Sequence, residues 1–286
     1  MSIPTPALDW SRQHLSSLPD TLWRRTELQR LNLGENQLTS ISAALGQLKN
    51  LTHLYLHNNA LTSLPGTIGD LRQLHTLDLG HNALIDLPDS LGGLTNLEFL
   101  YASDSRLTEL PASIGKLKHL RYLNATDNQL TALPETIGNL ARLVELRLYN
   151  NRLTSLPESI GGLTHLKELH LKNNPLTTLP ESIGGMNNLM RLSLVNNRLS
   201  TLPETIHHLR ALTTLDLRNN QLTTLPDLRN LTHLRYLDLR ANRFTALPAS
   251  LAELPHLERL DLRWLPLDSM PAWIPTLEQR GCIVYT

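Results

Sequence analysis

Cysteine is almost missing from this chain. Cys282 stands alone, so no internal disulfide can form, and a scaffold stapled by disulfides is excluded. A charge of one sign is missing too: 26 Lys and Arg balance 26 Asp and Glu. That balance argues against a nucleic-acid binder, whose affinity rests on neutralising phosphates. No run of about 18 apolar residues exists to span a bilayer, so no membrane contact is expected. The opening MSIPTPALDW has neither a basic n-region nor an apolar h-region, and no secretory signal is expected. The N-x-T sequons at Asn50, Asn124 and Asn230 then read as coincidence. These absences point to a soluble protein of a reducing, cytoplasmic compartment. Aromatics make up only 4%, so where they fall matters.

What the chain has in abundance is leucine at a fixed spacing. Residues 143–165 read LVELRLYNNRLTSLPESIGGLTH, and the same pattern starts again at Leu166 and, before it, at Leu120. The period is 23 residues. Leu146 and Leu148 alternate and point to one side of a short strand, leaving Glu145, Arg147 and Tyr149 on the other. Asn151 follows, placed to bond backbone groups that would be buried without partners where the strand ends. Pro157 lacks an amide donor and disfavours α conformation at Leu156, so the return segment starts extended. Gly161 and Gly162 are expected to allow a tight turn before the next strand. One copy cannot bury its own leucines, so copies must stack strand beside strand in a parallel sheet.

Residues 5–27 form a degenerate opening copy, with Leu8 and Trp10 in the strand positions and Gln13 where asparagine is usual. Residues 1–27 are read as the N-terminal cap with this copy. Ten regular copies fill 28–256, and 257–286 hold a degenerate last copy and the C-terminal cap, all in one continuous domain. Trp264, Trp273 and Cys282 are assigned to that cap. Ile283–Tyr285 is β-favouring and is expected to close the sheet edge as a last strand. One step is 22 residues, from Leu212 to Leu234; Leu228 should replace the usual isoleucine one place early, tightening the return loop and sparing the strand. The asparagine column breaks at Ser105, and nearby Ala102 and Ala125 replace inward leucines. Relaxed local packing or a functional purpose would account for them.

These residues resemble the leucine-rich-repeat superfamily in its 23-residue LPxxIGxL form, over nearly the whole chain. The resemblance implies an α/β solenoid: a right-handed horseshoe with a parallel β-sheet on its concave face and extended, 3-10 or short helical segments on its convex face. Similar repeats occur in plant and bacterial intracellular proteins, including type III effectors, where they often accompany a catalytic domain. No such domain is read here, so no enzymatic activity is expected. The resemblance implies recognition of a protein or peptide on the concave sheet, without carrying over ligand residues. The chain is expected to act as a monomer, and a translocated effector's host-target recognition domain is the alternative.

The third, fifth, seventh and eighth positions of each copy supply the open face of the sheet. Tyr55, Phe99, Tyr101, Tyr122 and Tyr149 all fall there within five neighbouring copies, beside His53, His57 and His81. With Asp78, Asn124 and Arg147 they make the candidate contact patch, since rings supply area at low entropic cost. The plainer alternative is that the aromatics pack beside one another on a solvated sheet. Towards the C-terminus Asp216, Asp238 and Asp261 alternate with Arg218, Arg240 and Arg263. That pattern suits either cross-strand ladders that neutralise themselves or a rim that orients an acidic partner.

No catalytic, cofactor or metal site is expected. His53 and His57 would stand about 13 Å apart along a strand, too far to share a zinc ion at about 2 Å per ligand. Ser103, His81 and Asp104 could meet, but an open sheet offers no water-excluding pocket or oxyanion site.

Overall fold

The computed structural model describes residues 6–286. The five residues before them, including Thr5 of the opening copy, lie outside the described residues. Contacts divide the chain into two compact units, Met1–Leu143 and Val144–Thr286.

The first unit holds β1 (Ala7–Asp9), β2 (Arg30–Asn32), β3 (His53–Tyr55), β4 (Thr76–Asp78), β5 (Phe99–Tyr101) and β6 (Tyr122–Asn124). All pair in parallel, and Leu8, Leu31, Leu54, Leu77, Leu100 and Leu123 stand opposite one another in one row. The second unit holds β7 (Glu145–Arg147), β8 (Glu168–His170), β9 (Arg191–Ser193), β10 (Thr214–Asp216), β11 (Tyr236–Asp238), β12 (Arg259–Asp261) and β13 (Ile283–Tyr285). Leu146, Leu169, Leu192, Leu215, Leu237 and Leu260 form the corresponding row within this unit, and Val284 ends it. The expected final strand is thus present. A one-residue slip would turn every leucine outward, so the buried row fixes the register.

Between strands, Leu-Pro begins each return extended, as at Pro157 (φ −70°, ψ 153°), and a five-residue 3-10 turn follows, here Glu158–Gly162. The isoleucine or leucine of each turn is fully buried against the strand leucines. The glycines do something other than expected. Gly161 lies inside the 3-10 turn and not in a left-handed turn residue. A Cβ there would run into the Ser182 carbonyl of the next copy. Glycine is needed because neighbouring returns approach so closely, not for backbone freedom.

The asparagine column does what its position requires. Asn59 Nδ2 donates to the carbonyls of Leu56 and Leu33, both at 3.0 Å, and its Oδ1 accepts from Leu38 N at 3.0 Å. Asn174 repeats the pattern in the second unit with Leu171, Leu148 and Leu153. Ser105 breaks it: its Oγ is buried and finds no partner among the described residues. The strands nevertheless run on through the two alanines, with Ala102 N donating to Asn124 O at 2.7 Å.

In the 22-residue copy the missing residue comes out of the return, as expected. No 3-10 turn forms there, Leu228 is fully buried, and β10 and β11 stay in register. At the C-terminal end, Ile274–Gln279 is the one α-helix (α1) among the described residues. Cys282 is buried as a cap residue should be. Trp264 is not: it is 73% exposed, at a left-handed φ of 62°, with the guanidiniums of Arg240 and Arg263 over its ring at 5.8 and 5.7 Å. It occupies the eighth position of a strand copy, so it belongs to the open face and not to the cap core.

Candidate functional site

The geometry of the open face follows from the three-residue strands. Their middle residue is buried and the flanking two are partly exposed, so third- and fifth-position side chains form two parallel columns on one face. In the first unit the fifth-position column runs Tyr55, Asp78, Tyr101, Asn124, and the third runs His53, Thr76, Phe99, Tyr122. All of these side chains are half-buried.

The rings gather in two groups. Tyr101 and Tyr122, diagonal neighbours on β5 and β6, have centroids 5.0 Å apart with planes tilted by 42°. Phe99 stands directly opposite Tyr122 in the register. On β3, His53 and Tyr55 stack at 6.3 Å, and His57 meets the edge of Tyr55 at 6.4 Å. Asp78 separates the groups. The His57 ring lies over Gly34, where a Cβ would come within 2.6 Å of it, so that glycine makes room for the imidazole. Burial and the charge of Arg30 hold the His53 pKa below the usual imidazole value.

Two predicted contact residues have a structural duty that the sequence did not suggest. Asp78 Oδ1 accepts from Gly80 N at 3.1 Å, and Asn124 Oδ1 accepts from Thr126 N at 3.1 Å. Asn32, Asp216, Asp238 and Asp261 do the same two residues on. Asn and Asp recur at the fifth position because their side chains close the chain turn after the strand. Asp78 Oδ2 also lies 3.1 Å from His57 Nδ1, but off the line of a hydrogen bond. His81 Nδ1 sits 2.5 Å from Asp104 Oδ2, and both side chains are more than half exposed. That openness gives the pair nothing to exclude water with.

In the second unit Tyr149 is half-buried, and Arg147 Nε donates to Glu145 Oε1 at 2.5 Å. The charged copies pair differently from the expected cross-strand ladder. Arg240 and Arg263 each grip the aspartate two residues earlier in their own strand, at 2.6 and 2.7 Å. Arg240 also reaches across to Asp261 of the next copy at 3.4 Å, and Arg259 lies at the same distance from Asp261 within β12. Asp261 is 1% exposed; burial raises its pKa, but the bonds from Arg263 and the charge of Arg240 outweigh this and hold it low. Asp216 goes the other way, because burial is only partly offset by Arg218 at 3.3 Å.

The eighth position of every regular copy takes a left-handed φ, from Glu35 (55°) to Asn219 (56°). Asn and Asp tolerate that region best, and in the second unit four asparagines use it to bond one another. Asn173 donates to Asn150 at 2.5 Å, Asn196 to Asn173 and Asn219 to Asn196, both at 2.6 Å. The row stops at Ala241. Among the described residues no helix is long and apolar enough to cross a membrane.

Comparison with known proteins agrees with the repeat. A leucine-rich repeat region profile matches residues 22–118 and 110–198, a two-copy repeat profile matches 187–230, and a single-repeat profile matches 233–254. Among solved structures, a leucine-rich-repeat protein of Leptospira interrogans superposes with a TM-score of 0.87 at 34% identity, over 98% of this chain and 77% of that one. YopM from Yersinia enterocolitica gives 0.74 at 27% identity, over 98% of this chain and 55% of YopM. The ectodomain of the Arabidopsis thaliana receptor kinase GASSHO1/SCHENGEN3, solved with CASPARIAN STRIP INTEGRITY FACTOR 2, gives 0.69 at 32% identity. That match covers 92% of this chain and 36% of the receptor chain. No curated protein matches.

Proposed function

Because the chain belongs to the leucine-rich-repeat family, whose fold serves typically as a non-enzymatic interaction module, we propose that it binds a protein or peptide on the open face of its sheet. The observation that carries this reading is the concentration of half-exposed rings on β3, β5 and β6 in a chain that is 4% aromatic. Asp78 and Asn124 stand on either side of Tyr101 in the register, so that ring is flanked by polar groups. Anchors of this kind dominate binding energy when a partner desolvates them. A similar chain, the Arabidopsis receptor ectodomain, was solved in complex with CASPARIAN STRIP INTEGRITY FACTOR 2, which supports a peptide or protein ligand without identifying this one. The protein acts on our reading as a monomer in the cytoplasm, without catalysis.

The test compares capture of partners from cell lysate by the native chain and by Tyr55→Ala/Tyr101→Ala/Tyr122→Ala. Both must melt at the same temperature. A hot spot costs about 2 kcal/mol per ring, so a captured partner should bind the variant at least about 30-fold more weakly. Unchanged affinity overturns the placement. The resemblance of the repeats to those of type III effectors implies a second reading, recognition of a host target after translocation; capture from host lysate alone would favour it.

A further inference from the structure

Glu145 and Glu168 stand opposite one another across β7 and β8, and Arg147 and His170 form the next pair in phase. Third and fifth positions leave the sheet on the same face. The register therefore sets two carboxylates side by side with an imidazole diagonal to one of them. His170 Nε2 lies 3.0 Å from Glu168 Oε2 and 3.8 Å from Glu145 Oε1. One ligating atom from each of the three residues falls within 4.8 Å of the other two. The side chains are 22, 37 and 20% exposed, so they are held by the sheet yet open to solvent on one side.

An ion at about 2.0–2.2 Å from an imidazole nitrogen and two carboxylate oxygens needs those atoms roughly 3–3.5 Å apart. One pair already meets that spacing, and flexible glutamates can close the rest. We infer that Glu145, Glu168 and His170 bind one divalent transition-metal ion of the zinc class. The donor set decides the class: imidazole with carboxylate suits zinc, cobalt or nickel, whereas calcium wants six to eight oxygens. Solvent on the open face supplies the remaining coordination positions.

Two arginines set the affinity. Arg147 Nε donates to the same Glu145 Oε1 that faces the imidazole, and Arg191 Nη1 is 4.0 Å from Glu168 Oε2. Their charges favour ionised carboxylates, but Arg147 competes directly with an incoming cation. The ion must displace it or use the second oxygen of Glu145. This competition makes the site weak and gives it a signature that a generic histidine site lacks.

The experiment is calorimetric titration of the full chain with zinc chloride. One ion per chain should bind. His170→Ala and Glu168→Gln should each weaken binding at least tenfold, since even residues that only orient a ligand cost that much. Arg147→Ala should tighten it by about two- to fivefold, the worth of an exposed ion pair. Calcium should not bind the trio. Equal zinc affinity in the native chain and His170→Ala overturns the site, as does absence of binding at millimolar zinc. Cobalt(II)-induced paramagnetic broadening on the native chain needs no variant: losses centred on β7 and β8 support the site, and losses centred elsewhere overturn it.

Discussion

Replacing Ser105 with asparagine should make the protein more stable. In an intact rung, Asn82 accepts from Leu61 N at 3.0 Å and donates to the carbonyls of Leu79 and Leu56 at 2.8 and 3.1 Å. One copy on, the serine hydroxyl is too short to span these groups. Its Oγ is buried without a partner, and the Leu84 amide that an asparagine at 105 would meet has no acceptor among the described residues. Each hydrogen bond recovered is worth about 1 kcal/mol net, and more where the group was buried unmet. Ordering the longer side chain takes back part of that gain. The expected balance is about 1–3 kcal/mol in favour of Ser105→Asn, or roughly 2–12 °C at about 2–4 °C per kcal/mol for a domain of this class. Urea denaturation followed by tryptophan fluorescence and circular dichroism would measure it. Because repeat arrays can unfold in parts, amide exchange at Leu84 should be read alongside and should slow. Ser105→Ala is the control: it removes a hydroxyl that bonds to nothing among the described residues, so it should be nearly neutral. If Ser105→Asn leaves both the midpoint and the Leu84 exchange unchanged, the missing rung is not a missing interaction, and the reasoning fails.

Other changes test other parts of the frame. Gly161→Ala should cost about 1–3 kcal/mol by overpacking against Ser182, seen as a lower thermal midpoint. Ala241→Asn should raise that midpoint, by relieving a non-glycine left-handed residue at φ 51° and extending the amide row from Asn219; about 1 kcal/mol is expected. Asp261→Asn should be severe, about 3–5 kcal/mol, because it removes the buried charge that Arg240 and Arg263 both contact. The lowered pKa of Asp261 means that the native state releases its proton more readily than the unfolded chain. Its stabilisation is therefore present above the unfolded carboxylate value and lost as pH falls through the folded one. Asp216 has the opposite sign: its raised pKa makes the ionised form a cost that grows as pH rises from the unfolded to the folded value. Asp216→Asn should thus be neutral or stabilising at pH 7 in denaturation curves, and the gap between the two variants should shrink in acid.

The backbone plan could be read from the sequence because each element in it depends on a buried residue type. The leucine row, the asparagine column, the Leu-Pro return and the last strand at Ile283–Tyr285 all follow from what must be covered or paired. What was not legible depends on distances between copies. Nothing in the spacing of Gly161 distinguishes a turn glycine from one pressed against Ser182. Asp78 and Asn124 look like free face residues until the chain turn two residues on is in view. The aspartate–arginine alternation reads as ladder-forming, yet side chains two apart on one strand meet first. Histidine spacing along one strand rules out a shared ion there, whereas Glu145, Glu168 and His170 meet across two strands and share no sequence motif. Trp264 followed the same logic: its position in the copy, not its bulk, sends it to the open face.

The 22-residue copy carries a lesson about change in this array. One residue was removed, and the loss fell wholly on the return: the 3-10 turn is gone while β10 and β11 remain partners residue for residue. Even the asparagine bonds adjust, Asn242 reaching back 20 and 25 residues where its neighbours reach 21 and 26. The strand side therefore tolerates no insertion or deletion, and the return side absorbs them. Length and recognition can then vary independently over evolutionary time. Slippage during gene duplication would be silent when it falls behind the sheet, while substitutions at the face positions could explore new ligands against an unmoving lattice.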